Sequence, residues 1–103
     1  MAIAQVTVVP LGTGTTSVSR YVAEVAAWLE KNGIKYHLTP MGTVLEGETR
    51  DLLDIVAQMH EQPFNIGAER VMTLVNLDDR RDKKNTAMGK VASVKARLES
   101  RES

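Results

Sequence analysis

An α+β fold is predicted: a four-stranded antiparallel sheet in the order β-α-β-β-α-β, with both helices on one face and a further helix at the C-terminus. Three observations predict it. Apolar residues alternate at the start of the chain, and a second short apolar stretch with strand character runs over 71–78. Between these stretches lie two segments with helical spacing, and the helical segments are themselves separated by a short extended pair that turns at Gly42.

Residues 3 to 10 are rich in β-branched side chains. Ala4, Val6 and Val8 lie on one face, Ile3, Gln5, Thr7 and Val9 on the other, and Pro10 ends the run. The segment Gly12-Thr13-Gly14-Thr15-Thr16-Ser17 supplies turn residues and a hydroxyl N-cap for the helix that follows. In that helix, over about 18–32, Val18, Val22, Val25 and Leu29 step by four, three and four, and Asn32-Gly33 is the stop signal. Lys35 to Met41 and Thr43 to Glu46 form a hairpin around Gly42. Thr49 is the expected cap of a second helix, carried by Leu52, Ile55, Val56 and Met59 up to a break before Pro63. Residues 64 to 69 are expected to be loop and Val71 to Asp78 the last strand. Arg80 to Asn85 form a charged connection, and Ala87, Val91, Val94 and Leu98 mark a terminal helix whose last residues, 100 to 103, are expected to fray. This is the ferredoxin-like arrangement, expected to fill residues 1–103 as a single domain.

Last-strand residues Val71, Thr73, Val75 and Leu77 face one way, and Met72 and Leu74 the other. Apolar positions on both faces of an antiparallel sheet imply that the side without helices is also covered. A second subunit is the simplest cover, so association of the chain with itself is expected.

Composition narrows the function classes. Thirteen basic and thirteen acidic residues balance, which leaves no broad field for nucleic acid or anionic lipid. Sheet aromatics on which bases could stack are also lacking, since only Tyr36 falls on a predicted strand. The absence of cysteine removes disulfides, thiolate nucleophiles and cysteine-ligated metals. No apolar run reaches the roughly 18 residues of a membrane span, and residues 1–14 lack a signal-peptide pattern. A cytoplasmic protein is expected.

No standard catalytic centre is visible. His37 and His60 have no metal-ligand spacing, and Ser17 and Ser19 flank a helix start, where capping accounts for them. The Gly12 to Thr16 loop lacks the lysine of a P-loop and the full spacing of a dinucleotide fingerprint. The segment Tyr36 to Gly47 carries more information. It sets an aromatic ring, the Thr39 and Thr43 hydroxyls and the Glu46 carboxylate along one hairpin, beside Gln5, Thr7, Thr73 and Asn76 of neighbouring strands. Polar groups at buried strand positions need partners, either one another or a ligand.

The hairpin Tyr36 to Gly47, with its Thr39-Pro40-Met41-Gly42-Thr43 core and Glu46-Gly47 end, resembles the thiamine-binding, YkoF-like family of small proteins. The strand from Arg70-Val71-Met72-Thr73 to Asp78-Asp79-Arg80 shares that resemblance, which covers about Val6 to Leu98. It implies a ferredoxin-like domain that forms homodimers and homotetramers and binds thiamine or its hydroxymethylpyrimidine part without acting on it, with no further cofactor. A site for such a ligand needs an apolar wall, convergent polar groups and a carboxylate near the cationic thiazolium. Tyr36, Leu38 and Met41 are the expected wall, Thr39, Thr43 and Asn76 the polar edge, and Glu46 the carboxylate. Two alternatives stand beside this reading. One is a regulatory or scaffolding oligomer that binds another metabolite. The other is an acylphosphatase-like hydrolase, which needs an arginine in the first loop, and residues 10 to 19 contain none.

Overall fold

The computed structural model describes residues 1–14, 18–82 and 87–102. Strand β1 (Ala2–Leu11) leads to helix α1 (Ser19–Lys31), then to strands β2 (His37–Thr39) and β3 (Gly42–Gly47), helix α2 (Thr49–Asn65), strand β4 (Arg70–Asp79) and helix α3 (Ala87–Glu102). The sheet order is β2-β3-β1-β4, and every neighbouring pair is antiparallel. The predicted ferredoxin-like α+β architecture is therefore the observed one.

Alternation along β1 sets the layers. Ala2, Ala4 and Val6 are buried beneath the helices, joined by Leu45 of β3, Val25 and Leu29 of α1, and Leu52, Val56 and Met59 of α2. Two alanines near the start of β1, Ala2 and Ala4, leave room for the larger Leu45, Leu29 and Met59 side chains, so small and large residues interlock. Residues of odd number in β1 point to the opposite, helix-free face, as do Val44 and Glu46 of β3.

The predicted stop of α1 is built as a Schellman motif. Gly33, at φ +67°, donates its N–H to the Glu30 carbonyl, and Ile34 donates to the Leu29 carbonyl at 2.9 Å. The start of α1 differs from expectation. Val18 occupies the N-cap position and offers no side-chain hydrogen bond, while Thr15, Thr16 and Ser17, the expected source of the cap, lie outside the described residues.

Four further expectations are corrected. Thr49 does not cap α2; Glu48 sits at the cap position, and the Thr49 hydroxyl donates instead to Asp79 Oδ2 at 2.8 Å. The helix also continues through Pro63 to Asn65. Pro63 stands two residues from the end, where the bond it forfeits is one of few, and its ring is fully buried. A second Schellman stop follows, with Gly67 and Ala68 donating to the Phe64 and Pro63 carbonyls. The first hairpin arm is shorter than Lys35 to Met41, because only His37, Leu38 and Thr39 find partners on β3. Finally, α3 stays helical to Glu102 rather than fraying from residue 100. Lys83, Lys84 and Asn85 of the charged connection lie outside the described residues.

Candidate functional site

β1 is ten residues long, but its partner β3 covers only part of it. Pairing runs from Ala2 opposite Gly47 to Val6 opposite Thr43, and the hairpin then turns away. From Thr7 to Leu11, β1 pairs only with β4. Its other edge has no strand partner among the described residues.

A cleft of about 260 Å³ opens at this step in the sheet, between the hairpin turn and the first two turns of α1. The helix contributes Val18, Val22 and Val25, β1 contributes Val6 to Val9, and the hairpin contributes Leu38 to Thr43. Within the regular stripe of α1, Val25 and Leu29 reach the core, whereas Val18 and Val22 run past it and remain more than a third exposed as the cleft wall. Among the described residues, no charged side chain lines the cleft.

The polar groups of the turn are largely engaged with one another. Thr7 Oγ1 donates to the Met41 carbonyl at 2.9 Å, and Thr39 Oγ1 donates to the Gly42 carbonyl at 2.8 Å while accepting from the Met41 N–H. These bonds hold the turn tightly against β1. A Cβ on Gly42 would lie 2.8 Å from both Thr7 Oγ1 and the Val6 carbonyl oxygen, so only glycine fits. Thr43 is different. It is 7 % exposed, it lines the cleft, and its hydroxyl makes no hydrogen bond among the described residues. An unpaired buried hydroxyl costs on the order of 1–3 kcal/mol, so such groups are uncommon away from binding sites.

The seven residues expected to form one site fall into three places. Leu38, Thr39, Met41 and Thr43 converge on the cleft, with Met41 three-quarters exposed at its lip. Glu46 and Asn76 lie on the helix-free face, Glu46 opposite Ile3 and Asn76 opposite Gln5 in register. Because side chains alternate along a strand, Glu46 and Thr43 of β3 cannot enter the same pocket of one chain. Tyr36 packs against the core away from the cleft, and its hydroxyl donates to Glu30 Oε1 at 2.6 Å. That bond, together with partial burial and the carboxylate's charge, raises the phenol above its ordinary value of 10.0.

Sequence reasoning missed the α1 and β1 walls. The signal was present in two forms: the apolar helical stripe that already starts at Val18, and a first strand longer than its hairpin partner. The histidines have structural surroundings. His60 Nδ1 lies 2.8 Å from Thr73 Oγ1 and the ring meets Phe64 edge-on, while His37 is exposed on β2. Among the described residues, no grouping of histidine and acidic side chains suits a metal ion, and no helix is long and apolar enough to cross a membrane.

Comparison with known proteins gives this geometry its context. The family model described as "Thiamine-binding protein" matches residues 4–95, nearly the whole chain. The chain belongs to the thiamine-binding protein family. Among its relatives in sequence is the UPF0045 protein YqgV of Bacillus subtilis, 50% identical over 103 residues, with 96% of this chain and 99% of the relative covered. A UPF0045 protein of Methanothermobacter thermautotrophicus is 42% identical over 99 residues and covers 95% of this chain and 100% of its own. Among solved structures, a hypothetical protein of Methanocaldococcus jannaschii superposes with a TM-score of 0.80 at 34% identity, covering 90% of this chain and 94% of that one. A proposed thiamine biosynthesis/salvage protein of Thermotoga maritima superposes with a TM-score of 0.72 over 90% and 97% of the two chains; at 20% identity this likeness speaks for the fold.

Proposed function

We propose that this chain is a non-catalytic binder of thiamine or its hydroxymethylpyrimidine part, and that the pyrimidine enters the cleft between α1 and the hairpin. The observation that carries this reading is the buried Thr43 hydroxyl on the cleft lining, which has no hydrogen-bond partner among the described residues. Membership of the thiamine-binding protein family supports the choice of ligand.

The cleft suits one half of thiamine better than the other. At about 260 Å³ it lies just below the range of about 300–1,000 Å³ typical for sites that engulf a whole ligand, so it takes one ring rather than two. A neutral, flat aminopyrimidine is compatible with the valine walls, and its edge offers donors and acceptors to Thr43. The thiazolium, a permanent cation, is costly to place where no carboxylate faces it, so it stays at the mouth beside Met41, whose flexible thioether adapts to it. Glu46 and Asn76, on the other face, take no part in this site.

The same lining argues against a phosphate-processing enzyme. A hydrolase of acyl phosphates needs a fixed cation for the phosphoryl oxygens, and the described cleft holds none. Nor does it hold a nucleophile paired with a general base.

Titration calorimetry with thiamine and with hydroxymethylpyrimidine tests the proposal. The wild-type chain is expected to bind thiamine with micromolar or tighter affinity, and Thr43→Val to bind it about five- to tenfold more weakly, the loss of roughly 1 kcal/mol for one hydrogen bond. Equal affinities in the two proteins contradict the proposed site.

A further inference from the structure

Four large apolar side chains stand exposed around the mouth of the cleft. Leu38 and Met41 of the hairpin are more than half exposed, and Val18 and Val22 of α1 more than a third. A ligand of one small ring, held in the interior, leaves this rim facing water. Apolar surface gathered round an opening suits a second group of the same ligand, standing outside the interior.

Met41 is the most exposed of the four, yet its backbone is fixed at both polar groups. Its N–H donates to Thr39 Oγ1 at 3.2 Å, its carbonyl accepts from Thr7 Oγ1 at 2.9 Å, and Pro40 before it has a restricted φ. Thr39 belongs to the turn itself, whereas Thr7 belongs to β1, so the Thr7 bond ties the turn to the sheet. Gly42 permits the close approach, since a side chain there would strike Thr7 Oγ1 and the Val6 carbonyl. The result is a flexible thioether on a fixed backbone, a contact that adapts at its tip and keeps its place.

We infer, resting on the reading of the cleft as a pyrimidine site, that the hairpin turn makes it selective for a two-ring ligand: Thr7 positions Met41 over the mouth, and Met41 covers the second ring while the first lies inside. Intact thiamine is then preferred over hydroxymethylpyrimidine, with Met41 setting the preference and Thr7 as its positioning residue. The thiazolium is a flat cationic ring. A thioether sulfur packs favourably against such a ring, and at the mouth the cation keeps part of its water, so no buried carboxylate is required. Hydroxymethylpyrimidine has no second ring and gains nothing from Met41. A turn held in place before the ligand arrives also spares the cost of ordering it on binding.

Titration calorimetry with both ligands on the wild type and on Thr7→Val, Thr7→Ser, Met41→Ala and Thr43→Val tests this. The wild-type chain is expected to bind thiamine about three- to tenfold more tightly than hydroxymethylpyrimidine, the scale of one contact between sulfur and a ring. Thr7→Val keeps the shape of the side chain and removes its hydroxyl. It and Met41→Ala are each expected to bring the ratio of the two affinities toward one, chiefly by weakening thiamine. Thr7→Ser keeps the hydroxyl and is expected to keep the wild-type ratio. Equal binding of the two ligands by the wild type overturns the inference. So does a wild-type ratio in Thr7→Val or Met41→Ala, because a Thr7 that serves the fold alone lowers both affinities together. Thr43→Val separates this from failure of the site itself. If it weakens both ligands while Thr7→Val leaves the ratio unchanged, the pyrimidine site stands and only the selectivity falls. If it weakens neither, both readings fall.

Discussion

Thr43 and Glu46 stand three residues apart on one strand and face opposite sides of the sheet. From sequence alone both are polar residues at the end of a hairpin, and both suit a ligand. What separates them is the register with β1, which places Thr43 beside buried Val6 and Glu46 beside half-buried Ile3. A threonine with an unsatisfied hydroxyl also makes a prediction about stability. Thr43→Val replaces that hydroxyl with a methyl of similar shape in an apolar setting, so the free protein is expected to gain up to about 1 kcal/mol in chemical denaturation, although it loses ligand affinity. A residue serving only the fold gives the reverse sign. That Leu38, Thr39, Met41 and Thr43 lie together at one cleft was legible because a turn forces neighbours in sequence to be neighbours in space. Asn76 was not separable from them in this way, since which face a polar strand residue occupies depends on pairing that a sequence does not display.

At the scale of elements, the hairpin and the start of α2 are each held by a few specific contacts. Gly42 brings the β2–β3 turn against Val6 and Thr7 at a distance no Cβ permits. Gly42→Ala is therefore expected to destabilise the chain by about 1–3 kcal/mol in urea unfolding and to open the cleft, because the turn is one wall of it. At the other end of the sheet, Asp79 accepts from Arg81 and from Thr49, joining the end of β4 to the start of α2. The Arg81 bonds, and secondarily the Thr49 bond, hold the Asp79 carboxyl below its ordinary value of 3.8. A depressed carboxyl binds fewer protons folded than unfolded, so its contribution is present above that ordinary value and is lost as pH falls through the folded one. Thermal melts are expected to show this loss below about pH 4, and Asp79→Asn to flatten that limb. The helices themselves were readable from their apolar period. Their ends were less so: Thr49 looks like a cap but answers a partner thirty residues away, and Pro63 looks like a stop but is carried by the burial of its ring.

At the scale of the molecule, the ferredoxin-like layers explain where the cleft forms. Helices cover one face of the sheet, and a break in that cover, on the α1 side, arises where a ten-residue strand outruns a six-residue partner. The order of elements was legible because alternation and helical period are properties of the sequence. The step in the sheet was not, because it depends on how far two strands stay in register. A single measurement addresses the account most directly: amide chemical shifts followed by NMR as thiamine is added. The account predicts that the resonances that move cluster at Thr7 to Val9, Val18 to Val25 and Leu38 to Thr43, and that Glu46 and Asn76 stay still. Shifts centred on Ile3, Glu46 and Asn76 would contradict it, as would a spectrum that thiamine leaves unchanged.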